Sequence, residues 1–232
     1  MLHLYASFPI TVLRLFKWGS ELSLVPILGL PARLFINWYA RNIEAAQVIA
    51  FEEVVELIEN ARACSIGDCP CLRVFRDDCG HTRDKCVRLN AGHDVFTGRD
   101  GGRHRPIGKR ELIERLGRLS RDYGLFHNKI YLGGAQVYAI CTCCDNCIAY
   151  RMHTRYGQPH AFNPGRYTAR ADSGKCAGCG ACTEACRFGV MRAGVVAPDE
   201  CFGCGLCRSR CPREAITLRL REHAHMQREA AG

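Results

Sequence analysis

Two runs of cysteine late in the sequence constrain this chain more than anything else in it. Between Lys175 and Pro212 it reads KCAGCGACTEAC, fourteen further residues, then CFGCGLCRSRCP. Cysteines fall at 176, 179, 182 and 186 and again at 201, 204, 207 and 211, so C-x2-C-x2-C-x3-C occurs twice at an offset of 25 residues. Three thiols two residues apart on a tightly curling loop can be aimed at three irons of one cube, and the fourth must come from farther away. Gly178, Gly180, Gly203 and Gly205 lack a Cβ, which lets the backbone curl closely and turn N–H groups toward sulfur. Each run continues into a short apolar piece, 188–191 and 215–220. Zinc modules pair two shorter C-x2-4-C knuckles, not two four-cysteine runs closing on x3-C.

The spacing, with Cys211-Pro212 closing the second run, resembles the two-cluster bacterial ferredoxin family over about residues 174–221. That resemblance implies two [4Fe-4S] clusters, each run lending its last cysteine to the other. Cys176, Cys179, Cys182 and Cys211 would hold one cluster, and Cys201, Cys204, Cys207 and Cys186 the other. One departure is visible. Arg187 follows Cys186 where the family often has proline, which weakens one turn but leaves the ligands in place.

Seventeen cysteines in 232 residues need a compartment as well as a cofactor. A disulfide framework calls for an oxidising compartment and, as a rule, a secretion signal. Residues 1–20 are partly apolar, but Arg14 and Lys17 interrupt them, no basic stretch precedes them and no small-residue cleavage site follows. The expectation is a reduced, cytoplasmic, metal-bound protein. The formal charge of +9 overstates the loaded protein, because each oxidised cluster with its four thiolates adds about −2. A basic face docks an acidic redox partner as readily as a phosphate backbone, so charge alone selects neither.

Residues 1–42 form an apolar arm whose runs are broken by Pro26, Pro31 and Arg33, too short to span a bilayer. Two readings stand. Either the arm packs on the domain or on a partner subunit, or residues 1–40 make peripheral membrane contact. In the second case Trp18, Trp38 and Tyr39 would sit at headgroup depth and Arg14, Lys17, Arg33 and Arg41 would face phosphates. From 43 to 63, Val48, Phe51, Val55 and Ile58 recur at helical spacing and predict one helix with a solvated glutamate face.

A second group of cysteines follows: Cys64 alone, then Cys69, Cys71, Cys79 and Cys86, and much later Cys141, Cys143, Cys144 and Cys147 in CTCCDNC. Adjacent thiols oxidise unless they are ligated, so the two patches are expected to meet and bind metal. Between them, residues 108–123 carry Leu112, Leu116 and Leu119 on one stripe and end at Gly124, which predicts a helix with a glycine cap. Strands are expected over 125–132 and 136–141 around Gly133-Gly134. This helix and hairpin read as a scaffold for the cysteines; exposed Arg110, Arg115, Arg118 and Arg121 also permit a winged-helix reading.

The set Cys69, Cys71, Cys79, Cys86, Gly124, Leu125, His127, Cys141, Cys143, Cys144 and Cys147 is similar to that of a group of anaerobe iron–sulfur proteins. These join an upstream cysteine domain to a two-cluster ferredoxin module, and the resemblance, over about residues 40–221, implies electron transfer. Cys64 has no counterpart and reads as a spare buried thiol. Cys69, Cys71, Cys79, Cys86, Cys141, Cys143, Cys144 and Cys147 would hold one or two further [4Fe-4S] clusters, or a structural zinc.

Residues 151–173 read as a linker and 222–232 as a frayed helical tail. The fold class expected is α+β: a mixed helical and small-sheet cysteine-rich domain over 43–150, then a two-cluster ferredoxin domain over 174–221. The function expected is an electron carrier or electron-transfer subunit of an oxidoreductase, facing a redox protein partner and not nucleic acid. No nucleotide-binding glycine loop or GxSxG elbow appears. The rivals are a thiol or disulfide reductase centred on CTCCDNC, a redox-sensing DNA-binding regulator, and a zinc scaffold beneath a working ferredoxin module.

Overall fold

In the computed structural model of the protein, residues 2–27, 29–42, 44–75, 80–97, 103–132, 136–192 and 194–221 are described. The chain opens on helices α1 (Leu2–Ser7), α2 (Pro9–Leu22) and α3 (Leu30–Asn42). Strand β1 (Glu44–Ile49), α4 (Phe51–Asn60), β2 (Cys64–Asp68), α5 (Pro70–Phe75), β3 (Asp84–Leu89) and α6 (Ala91–Phe96) follow. Next come β4 (His104–Pro106), α7 (Lys109–Tyr123), β5 (Phe126–Leu132), β6 (Val137–Cys143) and α8 (Ile148–Thr154). A single 3-10 turn, Pro159–Ala161, leads to β7 (Tyr167–Ala171), α9 (Ala181–Ala185), α10 (Leu206–Ser209) and β8 (Ile216–Leu220).

The first six strands make one antiparallel sheet in the order β1-β5-β6-β3-β2-β4. On one face Ile49, Ile66, Val87 and Ile140 meet Val54 and Ile58 of α4 and Leu112 and Leu116 of α7. On the other lie Val48, Phe126, Ile130 and Cys143, roofed in part by α2, α3 and α8. Both faces are therefore covered, and the cysteine-bearing face is the one the N-terminal helices overlie. The arm packs on the domain, with Leu13 and Ile36 buried against Ile148, Met152 and Ala161.

The single helix predicted over 43–63 is corrected here: Glu44–Ile49 is strand β1 and only Phe51–Asn60 is helical. Val48 and Ile49 are neighbours, yet both are fully buried. A strand whose two faces are covered demands that, and it masks the period-2 signal. Ala50, extended at ψ 162°, starts α4, and the Glu53 carboxylate accepts its backbone N–H at 3.2 Å. The residues α4 turns inward are Val54 and Ile58; Val55 is only half-buried. The helix expected over 108–123 is α7, closed by Gly124 in the left-handed conformation (φ 62°, ψ 36°). The hairpin strands appear as β5 and β6, while Gly133 and Gly134 lie outside the described residues.

Residues 151–173, read as a linker, hold the end of α8, the 3-10 turn and β7. β7 pairs antiparallel with β8, from Tyr167↔Leu220 to Ala171↔Ile216. Its polar alternation hid it: Thr168 and Arg170 flank the single buried Ala169. The tail 222–232 lies outside the described residues.

Beneath the sheet His127 is buried, its Nε2 2.7 Å from Ser120 Oγ and its Nδ1 3.1 Å from Thr142 Oγ1. Burial pushes its pKa down to about 4. The unfolded chain therefore takes up this proton first, near pH 6.5, and the contribution present above that pH is lost as pH falls toward 4. The sign gives about 2 kcal/mol of stability lost between pH 7 and pH 5. Denaturant midpoints at the two pH values should show that difference, and His127→Asn should flatten it.

Candidate metal centres

The C-terminal module is two short loops, each running into a one-turn helix, backed by the β7–β8 ribbon. Gly178, Gly180, Gly203 and Gly205 all have positive φ, between 67° and 80°. Cys176, Cys179, Cys182 and Cys211 line one small cavity of about 20 Å³, together with Ala171 and Ile216 of the ribbon. Cys211 thus stands with the first run although it ends the second. Its sulfur accepts the Ala215 N–H at 3.3 Å, and the backbone amides of Ala215 and its neighbours hold its thiol below the usual range.

The remaining four also face one another. Cys201 Sγ accepts the Ala169 N–H at 3.5 Å. Cys204 and Cys207 are pushed up to about 12, first by burial and then by Cys186 and Cys201, with Cys207 adding to Cys204. Thiols crowded this way ionise only when a cation replaces the proton, and iron does so. The Cys176, Cys179, Cys182 and Cys211 sulfurs around their cavity, with a backbone amide aimed at Cys211, fit an iron–sulfur cube.

The central domain gathers six more thiols. Cys141 and Cys143 lie two residues apart on β6 and share a face, and Cys86 of β3 stands directly opposite Cys141. Cys71 comes from α5, Cys69 from the residue before that helix, and Cys147 from the N-cap of α8. All six line one cavity of about 130 Å³ under α2 and α3, with Lys85, Asn128 and Asn146. The Cys143 and Cys147 sulfurs are 2.9 Å apart. Cys71 hydrogen-bonds to both Cys147 and Cys69, and Cys86 to Cys141. The bond to Cys147 favours the Cys143 thiolate, but burial and the facing thiols push its pKa up to about 12.

Lys85 is 1% exposed in this setting. Burial alone would strip its proton; the surrounding sulfurs of Cys69, Cys144 and Cys143 outweigh that and hold it charged. Its Nζ donates to Cys144 Sγ at 3.2 Å. A buried ammonium is tolerated only where anionic charge compensates it, and a metal–thiolate centre supplies that charge. Lys85 had no signal in the sequence beyond its place next to Cys86. Asn128 and Asn146 had none.

Not every predicted ligand lines the cavity. Cys144 is buried in the apolar cluster beneath α4 and α7. Cys64 lies in the same cluster, its thiol pushed up by burial. Cys79 falls outside the described residues. Among the described residues no three His, Cys, Asp or Glu side chains converge as for a single metal ion. The thiols surround a volume instead of a point.

Residues 195–217 match the 4Fe-4S binding domain. The matched stretch carries Cys201, Cys204, Cys207 and Cys211, which makes this an iron–sulfur module of ferredoxin type with at least one [4Fe-4S] cluster. Comparison with curated proteins and with solved structures found no match for the chain.

The ferredoxin-type module is clamped to the central domain by Arg187, the residue that follows Cys186. Its Nε donates to the Gly124 carbonyl at 3.1 Å, one terminal nitrogen to the Tyr123 carbonyl at 3.0 Å, and the other to Asp145 at 3.3 Å. The Tyr150 hydroxyl donates to the Arg187 carbonyl at 2.5 Å. Phe188 and Phe202, both of this module, stack at 4.0 Å and 13° beside the junction, and Phe188 meets Phe126 of the central domain at 5.1 Å. One apolar cluster thereby joins Cys143 and Cys147 to Cys204 through Phe126, Phe162 and the stacked pair. Arg187→Ala removes three charge-assisted bonds at a half-exposed site, worth about 1–2 kcal/mol together. The expected result is full iron content with a melting temperature lowered by about 3–6 °C.

Proposed function

We propose that this chain is an electron-transfer protein with three iron–sulfur centres, an electron carrier or a subunit of a larger redox complex in the cytoplasm. Two are [4Fe-4S] clusters of the C-terminal module, one on Cys176, Cys179, Cys182 and Cys211, the other on Cys201, Cys204, Cys207 and Cys186. The observation that carries this is the gathering of Cys211 with the first run around one cavity. When bound, the clusters supply one-electron chemistry; the chain's own groups position them, exclude water and aim N–H groups at sulfur.

The third centre occupies the six-thiol cavity. Cys69, Cys71, Cys147 and Cys143 form a continuous chain of thiol contacts and are the ligands of choice, with Lys85 offsetting the negative charge. Cys86 and Cys141 remain as a facing pair. That pair supports a second reading, thiol–disulfide exchange. Its two thiols would reduce a disulfide substrate by exchange, becoming one disulfide themselves as the substrate leaves as two thiols; two electrons from the neighbouring clusters and two protons from water would then restore the pair.

Iron, acid-labile sulfide and zinc, measured in protein purified without oxygen, test the proposal. About twelve irons per chain without stoichiometric zinc are expected from three cubes. About eight irons with one zinc would reduce the central domain to a scaffold. About eight irons without zinc would leave thiols in the cavity and favour the exchange reading.

A further inference from the structure

The N-terminal helices have two faces, and only one is used by the fold. Val12, Leu13, Phe16 and Ile36 line the central cavity, and the Phe16 and Tyr39 rings lock α2 to α3 at 5.0 Å. The outward face is also apolar. Leu15 and Trp18 of α2 are 62% and 64% exposed, and Leu34 and Trp38 of α3 are 62% and 53% exposed. The loop joining the two helices carries Ile27, 89% exposed. Soluble monomers leave such contiguous apolar surface uncovered only where something binds it.

Charge selects the occupant. Over residues 1–42 the basic residues are Arg14, Lys17, Arg33 and Arg41, against Glu21 alone. Lys17 is paired with Glu21 at 2.6 Å. Exposed Arg14 precedes Leu15, exposed Arg33 precedes Leu34, and exposed Arg41 lies one turn beyond Trp38, so cations flank the apolar stripes on both helices. A second copy of this face would bring the same cations against them. The apolar residues stand on convex helix faces and a loop tip, where a bilayer needs no matching groove. Tryptophan beside arginine is the composition that settles at headgroup depth. Among the described residues no helix is long and apolar enough to cross a membrane.

We infer that the outer face of the α2–α3 hairpin docks on the surface of an anionic lipid bilayer, lying in the interface and not spanning it. The six-thiol cavity then sits about 10 Å, one helix diameter, beneath the lipid surface. The inference stands apart from the metal content of that cavity.

Flotation of the metal-loaded chain with vesicles tests it, comparing phosphatidylcholine alone with phosphatidylcholine plus phosphatidylglycerol. The expected result is flotation with the anionic vesicles, weakened by salt, and a blue shift of tryptophan fluorescence. Trp18→Ser with Trp38→Ser should weaken binding about a hundredfold, about tenfold for each buried ring. Arg33→Gln with Arg41→Gln should weaken it about thirtyfold toward anionic vesicles only. All four positions are exposed, so visible absorption and circular dichroism should report an unchanged fold. Failure to float with either composition overturns the inference, whether the chain is then monomeric or self-associates through the same tryptophans. Equal flotation with both compositions overturns the choice of an anionic surface.

Discussion

Replacing Cys143 and Cys147 together with serine is expected to remove about four irons per chain and leave the ferredoxin-type module loaded. The two sulfurs are 2.9 Å apart, and Cys71 contacts both Cys147 and Cys69, so the double change takes away half of the thiol chain proposed to hold the central cube. It also leaves Lys85 buried with less anionic charge around it. A buried ammonium without compensation loses its proton or draws in water, at a cost of about 3 kcal/mol or more. The variant should therefore unfold more readily as well as bind less iron. Lys85→Met in the same background should recover part of that stability, because it removes the uncompensated charge. Iron analysis, denaturant midpoints and low-temperature paramagnetic resonance of the reduced protein read the three effects separately. An unchanged iron count would sink the central assignment.

Gly203 governs the other large effect. Its φ is 75°, and a Cβ there would lie 2.3 Å from the Tyr167 carbonyl oxygen of β7. The obstacle is backbone on both sides, so nothing flexible can yield. Gly203→Ala should displace β7 from the loop that carries Cys201 and Cys204, costing about 3 kcal/mol or more and blocking assembly of that cluster. Gly178 is the control. Its φ is 67°, but a Cβ added there would meet no heavy atom within 4 Å. Gly178→Ala should therefore cost only the left-handed penalty of about 1–2 kcal/mol. Comparable iron loss in both variants would show that backbone angle, not the contact with β7, is what matters.

The parts of the fold legible in the sequence are those whose signal is local. The cysteine runs carry their own spacing, and α7 carries a leucine stripe and a terminal glycine that takes the left-handed angle. Strand β1 was illegible because both its faces are covered, so Val48 and Ile49 read as part of a helical stripe. Strand β7 was illegible for the opposite reason. It is half of a two-stranded ribbon whose partner lies almost fifty residues away (Ala169↔Leu218), and nothing in TARA announces that pairing. That the two central patches should meet was legible from the adjacent thiols of CTCC; that Cys69, Cys71, Cys86, Cys141, Cys143 and Cys147 line the cavity while Cys144 does not followed from sheet order, which cysteine spacing does not encode. Arg187 stood out as a departure from a family pattern, but its three acceptors lie far away in sequence and could not be named from spacing.

The two halves of the ferredoxin-type module differ in their access to water. Cys176 and Cys179 are exposed, whereas Cys201 and Cys207 are buried and Cys204 lies under Phe188 and Phe202. An added electron makes a thiolate-bound cube more negative, and water relieves that charge better than a ring of phenylalanines. The cluster on the Cys201 run should consequently have the lower potential, and the one on the Cys176 run should hold the electron at rest. If both proposed clusters are present, the solvent gradient between two runs of matching cysteine spacing would act as a slope, with charge from the interior running outward to the exposed Cys176 and Cys179.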